Sequence, residues 1–175
     1  MKVSVSPIMV SLALAIGLCA PAWAHQESAG KLKIAHPWVR ASAEGAPETY
    51  ACIIEISNES DEPETLLSAT IEGAGKGVLY ELTEANGHFT SKPLEQGLVI
   101  KPHGKIELTP TTYQFKFGKV TKALKEDTEV LGTLVFEKLH SVPIHFMVES
   151  DDTAPKEDAD ASKEDHSGHQ HKHGE

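Results

Sequence analysis

The sequence predicts an all-β fold, an antiparallel sandwich or barrel with Greek-key connections. Apolar and polar residues alternate in short runs: Tyr113, Phe115 and Phe117 against Gln114, Lys116 and Gly118, and Val142, Ile144, Phe146 and Val148 against His145, Met147 and Glu149. That is the period of a strand with one face turned to a core. Turn residues separate such runs at short spacing, among them Asn58-Glu59-Ser60-Asp61, Asn86-Gly87, Lys101-Pro102-His103-Gly104 and Pro110, as in sandwiches and barrels. No segment sustains a helical period over several turns.

In chain order the patterning predicts strands over 31–41, 48–58, 65–72, 77–83, 98–100, 104–109, 113–117, 130–138 and 142–148, with one helical turn within 119–127. Trp38 belongs to the expected core. Cys52 sits in the strand-like run Tyr50-Ala51-Cys52-Ile53-Ile54-Glu55-Ile56 and reads as a buried structural thiol, because free cysteine packs as a small hydrophobe. Pro143 interrupts the last apolar run and calls for an edge or a bulge there, since it cannot donate to a ladder.

The 175 residues leave room for one domain and little more. Residues 1–24 read as a secretory signal peptide: Lys2 supplies the positive start, Ile8 to Leu18 the apolar run, and Ala22-Trp23-Ala24 the small-x-small cleavage site. Cys19 follows Leu18, where a lipobox wants a small residue, so cleavage after Ala24 is expected and the mature chain begins at His25. The apolar run falls short of the roughly twenty residues a bilayer span requires, and the chain is expected not to span a membrane. Residues 25–150 form the folded domain. Residues 151–175 contain no Val, Ile, Leu, Met or aromatic residue, so they have nothing to bury and read as a disordered, acidic tail.

Acidic residues number 26 against 16 basic, a formal charge of −10. Nucleic acid is excluded as a partner, because phosphate binding needs clustered Lys and Arg. With the leader gone Cys52 is the one cysteine left, so no internal disulfide forms and the apolar core must hold the domain. No G-x-S-x-G elbow, phosphate-binding glycine loop or H-E-x-x-H motif is present, and the chain is not expected to be an enzyme.

Histidine carries the chemistry. His166, His169, His171 and His173 place several imidazoles within reach of one ion on a flexible, acidic chain, a loose site for Cu, Ni or Zn. If cleavage falls after Ala24, His25 offers a terminal amine and an imidazole together, and a second histidine completes a T-shaped three-nitrogen set, a histidine brace, suited to Cu(II). The candidates for that second ligand are His36, His88, His103, His140 and His145. His36 comes first because it lies on the strand that follows the N-terminus and approaches His25 if residues 25–35 fold back. His145 and Met147 share a strand face and form either a separate soft site or ordinary surface; His103 is a solvated turn residue, and Arg40 has many carboxylates to pair with.

From Leu32 to Glu149 the chain resembles the periplasmic copper chaperone family PCuAC. The matching stretches are Ile34-Ala35-His36-Pro37-Trp38-Val39-Arg40-Ala41, Ile54-Glu55-Ile56-Ser57-Asn58, Gly87 to Pro93 followed by Glu95-Gln96-Gly97, Ile100-Lys101-Pro102-His103-Gly104, Leu108-Thr109-Pro110 and Leu134-Val135-Phe136-Glu137-Lys138. The resemblance implies a cupredoxin-like Greek-key β-sandwich or barrel that binds copper in the periplasm and passes it to a copper enzyme. It also implies a Cu(I) site of pattern His-x10-Met-x21-His-x-Met. Carried onto this chain, the first two positions fall on Tyr80 and Ser91. The last two fall on Tyr113 and Phe115 by raw spacing, or on Gln114 and Lys116 when aligned on Leu108-Thr109-Pro110. The second register keeps Tyr113, Phe115 and Phe117 on the buried face.

In neither register does a His or Met survive, so copper binding is expected to rest on harder nitrogen donors, His25 and His36 with the tail histidines, and to favour Cu(II) over Cu(I). The expected function is a periplasmic copper-binding protein that buffers copper or delivers it to a copper enzyme. Two rivals are a copper-dependent oxidative enzyme using the brace, and an interaction module whose metal site is lost.

Overall fold

The computed structural model describes residues 26–150. The leader, His25 and the His-rich tail lie outside the described residues. The described residues form eleven strands: β1 (Gln26–Ala29), β2 (Leu32–Arg40), β3 (Thr49–Asn58), β4 (Glu64–Ile71), β5 (Gly75–Ala85), β6 (His88–Pro93), β7 (Leu98–Ile100), β8 (Lys105–Leu108), β9 (Tyr113–Phe117), β10 (Glu129–Phe136) and β11 (His140–Glu149). Among the described residues no helix is long and apolar enough to cross a membrane.

The sheet closes on itself. Strands β2, β11, β10, β4, β5, β9 and β3 follow one another, and β3 pairs back with β2. All neighbours are antiparallel except β11 and β2. Closure removes the free edges that would otherwise invite association. Ile34, Val39, Ile53, Ile56, Leu66, Leu79, Phe115, Leu134, Phe136 and Phe146 fill the interior and are essentially inaccessible to solvent, each side chain contributing about 1.5–3 kcal/mol by burial. Gly132 on β10 is one of the places where packing demands the absence of a side chain: a Cβ there would lie 2.6 Å from both the Thr70 carbonyl oxygen and the Phe146 ring.

Alternation located β2 to β5 and β7 to β11 to within a few residues, but not β1 or β6. Neither shows an apolar face: β1 reads Gln-Glu-Ser-Ala, and every residue of β6 is exposed. Asn86 and Gly87 both have positive φ, 55° and 79°, a turn that reverses the chain tightly enough to hold β6 against the outer half of β5. The expected helical turn within 119–127 is absent; that segment is held instead by an isolated bridge between Ser42 and Leu124. Trp38 is not core but half-buried on the outer surface, edge-on to Tyr50 with centroids 5.8 Å apart. Tyr113 is likewise half-buried, its hydroxyl 3.4 Å from Glu81 Oε1. Cys52 is fully buried, and desolvation pushes its thiol far above the usual range. Pro143 lies where β11 pairs only with β10, before β2 joins at Met147, so its missing N–H leaves no gap in a ladder.

The β10–β11 turn is fastened by a buried carboxylate. Glu64, 5% exposed, accepts the backbone N–H of Thr65 at 2.8 Å and of Lys138 at 3.0 Å on Oε1, and that of Leu139 at 3.1 Å on Oε2. Glu64→Ala leaves these donors without an acceptor and is expected to cost about 1.5–3 kcal/mol; urea unfolding measures it, and a loss below about 0.5 kcal/mol would mean that water replaces the carboxylate freely.

Candidate metal centre at the edge of the second strand

The apolar residues of β2 change parity midway. Leu32 and Ile34 face the interior in the first half, Pro37 and Val39 in the second. The break falls at His36, whose φ is 49°, a left-handed conformation uncommon outside glycine. The partner strand breaks at the same level: Ala51 and Ile53 are buried, then Ile56 and Asn58, while Ile54 is 55% exposed. Because both strands slip together, their register is kept on either side, Ala35 opposite Glu55 and Pro37 opposite Ile53.

One edge of β2 is covered by β3; the other is shared. β1 runs antiparallel along its first half, from Ala29 opposite Leu32 to Gln26 opposite Ala35. β11 runs parallel along its last part, from Met147 opposite Trp38 to Glu149 opposite Arg40. Only His36 and Pro37 lie between the two covering strands.

Two histidine–glutamate pairs lie along this edge. His36 Nε2 lies 2.6 Å from Glu149 Oε1, with both side chains half-buried. An ionised carboxylate only accepts, so the ring donates through Nε2–H and keeps Nδ1 as its lone-pair nitrogen when neutral. On the far side of the gap Glu27 Oε1 accepts the His145 backbone N–H at 2.8 Å and lies 3.4 Å from His145 Nδ1. Ile144, Phe146 and Val148 are buried, so His145, Met147 and Glu149 face outward together. Arg40 pairs with no carboxylate among the described residues; its guanidinium stands over the Tyr50 ring, 4.9 Å from the centroid, a cation–π contact.

The other histidines are scattered. His88 and His140 are exposed at the ends of β6 and β11, and His103 is an exposed turn residue 2.9 Å from Asp61 Oδ1. Among the described residues no group of three or more His, Cys, Asp or Glu side chains is assembled to hold a metal ion. Of the expected ligands the structure places only His36; His25, His166, His169, His171 and His173 lie outside the described residues. Sequence reasoning missed Glu149 and Glu27 as partners of histidine. Glu149 is 113 positions from His36, and nothing local signals such a pairing.

A second polar group lies where β5 pairs with β6 and β9. Tyr80 is opposite Gln114, and Ser91 is opposite Leu82. Lys116 Nζ donates to Ser91 Oγ at 3.3 Å and stands 5.4 Å from the Tyr80 ring centroid. Phe115, by contrast, is wholly within the core. Lys116 thus touches both Ser91 and Tyr80, while Gln114 stands opposite Tyr80 in the ladder.

A closed all-β barrel of this connectivity is a cupredoxin-like fold of the PCuAC type. Several solved structures share it. An apo PCuAC domain from PmoF1 is 28% identical, with 73% of this chain covering 100% of that one at a TM-score of 0.59. A copper-bound PCuAC domain from PmoF2 is 23% identical, over 73% and 99% of the two chains at a TM-score of 0.59. The solution structure of apo-DR1885 from Deinococcus radiodurans is 19% identical, over 89% and 97% at a TM-score of 0.55. No curated protein matches the chain. The chain belongs to the LpqE-like lipoprotein family, whose model matches residues 32–148, nearly the whole barrel.

Proposed function

We propose that this protein binds copper outside the cytoplasm and buffers it or delivers it to a copper enzyme. Residues 1–24 act as the leader, residues 25–150 form the copper-binding domain, and the tail over 151–175 gathers metal through His166, His169, His171 and His173. The barrel's own site uses His25 and His36 and favours Cu(II).

The observation that carries this reading is the register of β1. Gln26 lies opposite Ala35, the residue before His36. β1 thus runs along the edge of β2 toward His36. Beyond it the edge is closed, because Pro37 offers no N–H and Trp38 is already paired with Met147. A mature chain beginning at His25 would carry a terminal amine and an imidazole on one residue, one position before the described start of β1. Such a nitrogen set suits the tetragonal preference of Cu(II). Support for copper itself comes from the fold neighbours, one of which is a copper-bound PCuAC domain.

The Tyr80, Ser91, Gln114 and Lys116 cluster supports the preference for nitrogen donors. It lacks thioether and imidazole, the groups that select Cu(I), and the Lys116 ammonium at Ser91 repels an incoming cation. We read it as the place of the PCuAC ligands, replaced in this chain.

Titration of Cu(II) into the mature protein, and into a variant with the four tail histidines changed to asparagine, tests the proposal. Two classes of site are expected in the first and a single tight equivalent in the second. Loss of all submicromolar Cu(II) binding with the tail substitutions would leave the barrel without a site and favour the interaction-module reading.

A further inference from the structure

Acidic residues outnumber basic ones by 26 to 16, yet two cations on the outer surface meet aromatic rings rather than carboxylates. Arg40 stands over the Tyr50 ring and Lys116 over that of Tyr80, 4.9 and 5.4 Å from the centroids. The ladder joins these contacts into one strip: Tyr50 is opposite Lys116, and Trp38 meets the Tyr50 ring edge-on. Tryptophan, arginine, tyrosine, lysine and tyrosine thus follow one another across β2, β3, β9 and β5. Val78, opposite Lys116 and 46% exposed, adds apolar surface beside them.

The neighbouring carboxylates are turned elsewhere. Glu149 is opposite Arg40 in the parallel pair, but its Oε1 lies 2.6 Å from His36 Nε2. Glu48 lines a groove with Arg40 and makes no ion pair with it. Glu81 accepts the Tyr113 hydroxyl, and Lys116 Nζ donates to the Ser91 hydroxyl, a neutral acceptor. Tyr50 is 8% exposed, and its hydroxyl is the one buried side-chain polar atom among the described residues without a hydrogen-bond partner. A buried polar group left without a partner costs about 1–3 kcal/mol, so the stability of the barrel does not account for a tyrosine at this position.

We propose that this strip docks an acidic segment of a partner protein. Tryptophan, tyrosine and arginine are the side chains that carry most binding energy at protein interfaces. Charge selects the partner: carboxylates from outside complete Arg40 and Lys116, which no carboxylate among the described residues neutralises. Two strand spacings separate β2 from β9, about 10 Å, a span that acidic residues a few positions apart on an extended segment match. The overall negative charge of the chain is screened beyond about 8 Å at physiological ionic strength, so the local cations decide the contact. The Lys116 ammonium that repels a metal ion attracts a carboxylate. The inference stands apart from copper, since none of these side chains is assigned to the metal.

Trp38 is the only tryptophan once residues 1–24 are removed, so its fluorescence reports on the strip directly. The test titrates the full mature chain with a tryptophan-free peptide rich in glutamate, and with the same peptide carrying glutamine at each glutamate. Saturable binding is expected for the first peptide alone. Arg40→Gln and Lys116→Gln are each expected to weaken it about 10-fold, and Lys101→Gln, an exposed lysine outside the strip, to leave it unchanged, with the same urea midpoint in all three. Absence of saturation, equal binding of the glutamine peptide, or equal weakening by Lys101→Gln would overturn the proposal. Saturation that appears only after the acidic residues of 151–175 are changed to amides would make the tail of this chain the occupant, and would equally overturn it.

Discussion

One glycine placed before His25 is expected to weaken Cu(II) binding at the barrel by about 100-fold or more, equivalent to ~2.8 kcal/mol at 1.4 kcal/mol per decade, and to leave binding by the tail histidines unchanged. The terminal amine becomes a peptide nitrogen, which donates a hydrogen bond where the amine offered a lone pair, so the chelate at residue 25 loses a tooth. Calorimetric titration of the extended and native chains, both carrying asparagine at the tail histidine positions, measures the effect. Equal affinities would remove the amine from the site.

Phe146→Ala is expected to cost about 3–5 kcal/mol, the usual range for deleting a buried aromatic ring and a large part of the 5–15 kcal/mol that typically separates folded from unfolded domains. Phe146 is fully buried and rests against Gly132 of the neighbouring strand, where even a Cβ would meet its ring. With a denaturant slope of about 2 kcal/mol per molar, the urea midpoint falls by ~2 M. His145→Ala, one residue away but on the outer face, is expected to stay within about 0.5 kcal/mol. A Phe146→Ala loss below about 1 kcal/mol would place that ring outside the core. Alternation along β11 is what turns Phe146 inward and His145, Met147 and Glu149 outward.

The barrel was legible wherever one face of a strand is apolar, since a period of two is imposed by the pleat. It was not legible where both faces meet water: β1 and β6 are held by backbone pairing and, in β6, by the positive-φ turn at Asn86 and Gly87. The slip at His36 was written in the sequence as a change of parity, Leu32 and Ile34 giving way to Pro37 and Val39, with Ala51 and Ile53 giving way to Ile56 in the partner strand. Reading β2 and β3 each as one uninterrupted strand concealed it, and with it the reason Trp38 faces outward.

The site was half legible. His36 stood out because it follows the N-terminus closely, and the β1 hairpin shows how the chain folds back toward it. Its partner Glu149 is remote in sequence. Only the parallel pairing of β11 with β2 brings it near, and that pairing is a property of barrel closure rather than of any local run.

The central claim is that the exported chain begins at His25, and the family to which it belongs is described as lipoproteins. Intact-mass analysis of the exported protein decides between the two possible fronts. The account predicts the unmodified mass of residues 25–175, with His25 first in terminal sequencing. A diacylglyceryl-modified chain starting at Cys19 would contradict it, because His25 would then be an interior residue with no amine to give to a metal.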